Sequence, residues 1–126
     1  MKEVEIGYLR LGYMVEFVKE FRSAFGINEK NQSRRLNAHM MKEELNEYLD
    51  AENSVEVLDA LTDVLYLLIG AYVREGYSSE DIFSAFIEVH ASNMSKLENG
   101  EPVVLHNGKI GKGSNYRKPD LTSIAK

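Results

Sequence analysis

Val55-Glu56-Val57-Leu58-Asp59-Ala60-Leu61-Thr62-Asp63-Val64-Leu65-Tyr66-Leu67-Leu68-Ile69-Gly70-Ala71-Tyr72-Val73 is long enough and apolar enough to be a core helix, yet it carries Asp59 and Asp63 in its interior. An ionised carboxylate buried without a partner costs more than a small domain can spare, so such groups are paired, hydrogen-bonded or metal-bound. At about 100° per residue, Glu56, Asp59 and Asp63 fall within an arc of roughly 60° and project in nearly one direction. Upstream, Lys42-Glu43-Glu44-Leu45-Asn46-Glu47 puts Glu44 and Glu47 on one helical face, with Glu43 beside them. Asn53 and Ser54 lie between the two segments and are good N-cap types, which makes an αα-hairpin the economical arrangement. Such a hairpin brings both acidic faces together. Carboxylates converging in an apolar setting repel one another, and hard divalent cations, which prefer oxygen ligands, relieve that repulsion. These residues predict a Mg²⁺ or Mn²⁺ site.

Outward from this pair, the helical period recurs. Gly7 to Phe25 has apolar positions at Leu9, Met14, Phe17, Val18, Phe21 and Phe25 and ends before Gly26. Gln32 to Ala51 buries Leu36, Met40, Met41, Leu45, Tyr48 and Leu49, with Asn31 or Ser33 as its cap. Ser54 to Arg74 stops before Gly76, and Ser78-Ser79-Glu80-Asp81 reads as a capping box opening a helix through Lys96. The expected fold is an all-α four-helix bundle, with the helical core over about 7–98. Beyond Gly100 the pattern changes. Pro102-Val103-Val104-Leu105-His106 is strand-like, Asn107-Gly108 is a two-residue hairpin turn and Lys109-Ile110 starts a return strand, so a short β-ribbon and tail are expected over about 101–126.

With 126 residues and 44% of them hydrophobic, the chain has enough for one core and not two, so residues 1–126 are expected to form a single domain. It has no cysteine, and its three histidines show no zinc-motif spacing, which excludes disulfides and thiolate sites. The start, Met1-Lys2-Glu3-Val4-Glu5, lacks the basic and apolar regions of a signal peptide, and the long apolar run carries acids, so a cytoplasmic protein with no membrane partner is expected. The net charge of −5 is asymmetric: residues 1–106 hold ten Lys/Arg against nineteen Asp/Glu, whereas residues 107–126 hold five against one. An acidic body argues against binding a nucleic-acid polymer, whose affinity comes from many cationic contacts to phosphate. A small phosphorylated ligand, bridged by cations to the acids and capped by the basic tail, fits the distribution better.

Glu43-Glu44-x-x-Glu47 taken alone is common on solvated helix faces. Asp59 and Asp63 carry more weight, because their helix is apolar on almost every side. Di-iron bundles also gather carboxylates between helices, but they add Glu-x-x-His pairs that this chain lacks. Near the end of the fourth helix, Asn93 and Lys96 offer an amide and an ammonium suited to phosphate.

Taken together, Glu43-Glu44-x-x-Glu47, Glu56-x-x-Asp59, the run D-A-L-T-D-V-L-Y-L-L-I-G and the blocks V-H-A-S-N-M-S-K and N-G-K-I-G-K-G-S-N-Y-R-K-P-D resemble the MazG-like all-α nucleoside triphosphate pyrophosphohydrolases, in particular the phage-type and phosphoribosyl-ATP pyrophosphohydrolase-like branch. The resemblance covers about 34–120. It implies cleavage of a nucleoside triphosphate to the monophosphate and pyrophosphate by metal-activated water. Glu44, Glu47, Glu56, Asp59 and Asp63 are the implied metal ligands for Mg²⁺ (or Mn²⁺), and Glu43 or Glu44 the acceptor of the water's proton. Asn93, Lys96, Lys109, Lys112 and Tyr116 are the implied substrate-binding groups. Relatives place Glu-x-x-Asp directly before the V-L-Y run; here that spacing would begin at Ala60, so Asp59 stands in for the missing Glu, and the direct ligands among Glu56, Asp59 and Asp63 stay open. A homodimer or homotetramer is expected, since four short helices leave a groove that a second copy can close. Narrower dUTP or phosphoribosyl-ATP cleavage, and a non-catalytic metal- and nucleotide-binding module, are the alternatives.

Overall fold

The computed structural model describes residues 2–126, which contain four helices and no extended strand: α1 (Glu3–Ala24), α2 (Arg34–Asp50), α3 (Ser54–Arg74) and α4 (Ser79–Met94). The chain divides into two compact units, one running to Ser79 and one from Glu80 to Lys126. The all-α expectation holds. No helix among the described residues is long and apolar enough to cross a membrane.

In the first unit, α3 packs against both α1 and α2. Each helix boundary has a local cause. Ser33 caps α2 by accepting from the Leu36 amide at 3.1 Å, so the helix starts at Arg34 rather than at Gln32. Asn53 caps α3 by accepting from the Glu56 amide at 2.9 Å. At the ends of α1 and α3, Gly26 (φ 60°) and Gly76 (φ 89°) adopt the left-handed conformation that a side chain resists. There the Ile27 and Tyr77 amides bond back to the Arg22 and Tyr72 carbonyls, closing Schellman turns that satisfy otherwise orphaned carbonyls. Arg34, at the start of α2, donates twice to Glu75, just past the end of α3, at 2.9 and 3.0 Å. This ties the open end of an antiparallel hairpin.

Val15 and Val18 of α1 and Ala60 and Ile69 of α3 are buried between helices. Phe21 meets Tyr66 edge to face, with ring centroids 5.6 Å apart. Much of the apolar surface of α3 nevertheless remains open: Val55 is 76% and Leu58 68% exposed, and Leu49 at the end of α2 is 79% exposed.

The second unit consists of α4 and the segment that folds back along it. Helix α4 ends at Met94, and Ser95 turns the chain by donating from Oγ to the Ser92 carbonyl at 2.6 Å, so Lys96 lies just past the helix rather than in it. The expected β-ribbon does not form. Only isolated bridges, Val104 with Ile110 and Glu98 with Glu101, are present. The Asn107-Gly108 turn does close, with Gly108 at φ 82° and the Leu105 amide bonded to the Lys109 carbonyl. Pairing does not continue beyond Val103 and Gly111, and an isolated two-stranded hairpin of this length is marginal.

The tail is instead fastened by polar contacts. Arg117 donates to Glu88 at 2.6 Å, the Asp120 amide donates to the same carboxylate oxygen, and buried Ser92 donates to the Arg117 carbonyl. These bonds hold the Glu88 carboxyl below its ordinary range, the Arg117 bond most of all. Glu98 accepts from the Ser114 amide and hydroxyl, which likewise lower its pKa.

Candidate active site

Helix periodicity assembles the site. Glu44 and Glu47 share a face of α2, Asp63 lies on α3, and the hairpin brings one carboxylate oxygen from each to within 4.8 Å of the others. Glu44 is the constrained member. Its Oε2 is buried with no hydrogen-bond partner among the described residues. Burial first, then the adjoining Glu47 carboxylate, and then repulsion from Asp63 and Asp59 push its pKa up to about 7. Three carboxylates with oxygens within 4.8 Å of one another, one of them with an orphaned buried oxygen, form a donor set that a hard divalent cation satisfies, so the residues fit such an ion.

The remaining sequence candidates lie at varying distances from this centre. Asp59 is exposed and acts on Glu44 through its charge. Glu56 lies at the start of α3, where its carboxylate accepts from the Glu52 amide at 2.9 Å. Glu56, Asp59 and Glu47 line a second cavity of about 360 Å³ with Asn46, Asp50 and Ala51, so Glu47 borders both acidic groups. Glu43 is not one of the three; His39 Nε2 lies 3.0 Å from its Oε1. Asn93, Lys96, Lys109, Lys112 and Tyr116 all belong to the second unit. There Lys112 Nζ sits 4.8 Å from the centre of the Tyr116 ring, a cation–π contact.

Beside the cluster lies a cavity of about 290 Å³ between α1, α2 and α3. Glu43, Glu44 and Asp63 form its acidic part, and Phe21, Ile27, Met40, Tyr66 and Leu67 supply apolar walls. The sequence reading did not anticipate it, nor the buried Asn37 in its wall. The available signal was spacing: Asn37 precedes Met40 by three residues and Glu44 by seven, which keeps all three on one face of α2. His39, which the sequence marks as a packed or surface histidine rather than a ligand, stands four residues before Glu43.

A helical hairpin that gathers carboxylates beside a cavity has the donor chemistry to hold a divalent cation next to a bound ligand. Residues 19–93, more than half of the chain and including Glu43, Glu44, Glu47, Glu56, Asp59 and Asp63, match the family model for phosphoribosyl-ATP pyrophosphohydrolase. The chain belongs to that family, within the MazG-like all-α pyrophosphohydrolases. It is a hydrolase acting on acid anhydrides. The match ends at Asn93, before Lys96, Lys109, Lys112 and Tyr116. No curated protein and no solved structure gives a significant match.

Proposed function

We propose that the chain is a Mg²⁺- or Mn²⁺-dependent pyrophosphohydrolase that cleaves a ribo- or deoxyribonucleoside triphosphate to the monophosphate and pyrophosphate. The observation that carries this reading is the convergence of Glu44, Glu47 and Asp63 oxygens to within 4.8 Å of one another across the hairpin, on residues that the family match spans. Those three carboxylates hold the cation, with Asp59 and Glu56 beside the neighbouring cavity adding negative charge or a second set of ligands. When bound, the ion neutralises phosphate charge, lowers the pKa of water and steadies the leaving pyrophosphate. Water adds to the α-phosphorus, the α–β anhydride bond breaks, and the water's proton passes to a carboxylate. Of the two candidates, Glu43 is the more available: it lines the cavity, lies outside the cluster and is oriented by His39. Asn93, Lys96, Lys109, Lys112 and Tyr116 contact phosphate, sugar or base in this reading, and the basic tail supplies the positive charge that a triphosphate requires.

A cytoplasmic location and a homodimer or homotetramer belong to the same reading. The oligomer is supported by the exposed Leu45, Tyr48, Leu49, Val55 and Leu58 around the α2–α3 turn, an apolar area that a second copy would cover. Light scattering behind a sizing column tests it; a monomer at micromolar concentration would contradict it. The family description supports phosphoribosyl-ATP as a narrower substrate, with dUTP as another.

The experiment for the activity is pyrophosphate release from a panel of NTPs, dNTPs, dUTP and phosphoribosyl-ATP, with Mg²⁺ or Mn²⁺ and with EDTA. Metal-dependent release ranks the substrates. Metal and nucleotide binding without release would leave a non-catalytic nucleotide-binding module.

A further inference from the structure

We propose that the cavity between α1, α2 and α3 receives the base of the nucleotide and that Asn37 determines which base is accepted. The inference rests on the nucleotide reading above. Asn37 is 4% exposed, and Ser92 is the other buried polar residue among those described. The two differ in their partners. Ser92 spends its hydroxyl on the Arg117 carbonyl at 2.8 Å, whereas the Asn37 side-chain amide makes no hydrogen bond to any described residue and borders the cavity. Its amide opens onto the cavity rather than onto a protein partner, and asparagine is a poor helix former, so helix stability does not account for this residue. The Gln32 side chain, in the same wall, donates only to the Met40 sulfur at 3.9 Å. Two amides in one small cavity are thus left to bond a ligand.

Shape and position identify the ligand. The cavity's 290 Å³ lies at the lower limit of the ~300–1,000 Å³ typical of ligand pockets, enough for a flat ring rather than a whole triphosphate. Phe21 and Tyr66 contribute aromatic walls, and Ile27, Met40 and Leu67 contribute aliphatic ones. Asn37 stands seven residues before Glu44, about 10 Å along the helix axis, a separation that a sugar and its first phosphate bridge. An asparagine amide carries a donor and an acceptor side by side, and an edge of a nucleobase offers the complementary pair. With the phosphates at Glu44, Glu47 and Asp63, the base falls at Asn37.

The test is calorimetric binding of the four nucleoside monophosphates and of ribose 5-phosphate, in Mg²⁺, to the wild-type protein, Asn37→Ala and Met40→Phe. Wild type is expected to bind one or two monophosphates at least about tenfold more tightly than ribose 5-phosphate, and Asn37→Ala to lose about tenfold or more of that advantage. Met40→Phe, which narrows the cavity without touching the amide, is expected to weaken the monophosphates and leave ribose 5-phosphate unchanged. Equal binding of all five ligands by wild type overturns the proposal, as does an unaltered preference in Asn37→Ala. Should Asn37→Ala fail to fold, Met40→Phe decides, and unchanged monophosphate binding overturns the proposal. Selective binding by a wild-type protein that releases no pyrophosphate would refute the catalytic reading and leave the base pocket standing.

Discussion

Glu44 of α2 and Asp63 of α3, nineteen positions apart in the chain, present carboxylate oxygens within 4.8 Å of each other across the hairpin. Neither helix alone creates this proximity. Like charges at that range are tolerated only because Glu44 holds its proton unusually tightly or because a cation replaces it.

The first prediction follows from the pH dependence of that choice. Glu44 titrates near 7 in the folded protein against 4.5 as its ordinary value, so ionising it weakens the metal-free fold. The penalty is absent below about pH 4.5, grows through the interval and is complete above about pH 7. In melts without metal, the wild type should therefore gain on Glu44→Gln as the pH falls from about 7 toward 4.5. Divalent cations select the ionised form, so their affinity should drop below pH 7, with proton release on binding visible in calorimetry. A melting difference independent of pH would remove Glu44 from the cluster.

Glu56 is already engaged by the Glu52 amide, while Asp63 belongs to the three-carboxylate cluster. Asp63→Asn should weaken Mn²⁺ binding by on the order of 100-fold, and Glu56→Gln, which keeps the accepting oxygen, by less than about 10-fold. Equal losses in a titration would make Glu56 an equal ligand.

Asn53→Ala removes the cap of α3 and should cost about 1 kcal/mol in denaturant unfolding. Arg34→Ala breaks the two bonds to Glu75, but these side chains are 78% and 39% exposed, so the loss should stay within about 1 kcal/mol. Both variants should retain turnover, since neither touches the acidic cluster. A loss several times larger for Arg34→Ala would mean that the hairpin depends on that pair.

A Cβ on Gly113 would sit 2.8 Å from the Lys96 and Leu97 carbonyl oxygens and from a Glu98 carboxylate oxygen. Backbone cannot yield as a flexible side chain does, so Gly113→Ala should detach the segment that Ser114 ties to Glu98. Faster proteolysis within 107–126 and a raised KM are expected, with helix content preserved. An unchanged KM in a variant with a released tail would make the tail structural.

The helices were legible from the sequence because their caps, periods and terminal glycines agree: Asn53, Gly26 and Gly76 act where the pattern placed them. The hairpin that unites the acids was legible for the same reason. The ribbon was misread because Val103 to Ile110 has strand-like residues and a good turn, yet these close only one isolated bridge, Val104 with Ile110, and no ladder. Periodicity also could not reveal that Leu58 and Val55 stay open within a single chain, since an apolar stripe reads the same whether its cover is intramolecular or a second copy. The cavity at Asn37 was invisible because it is made of three helix faces at once.

Pyrophosphate release by wild type and Asp63→Asn, titrated with Mg²⁺ and chased with EDTA, tests the central claim most directly. Release that saturates with metal in wild type, stops in EDTA and falls by on the order of 100-fold in a folded Asp63→Asn protein is the predicted result. Release that persists in EDTA, or full turnover by Asp63→Asn, would contradict it.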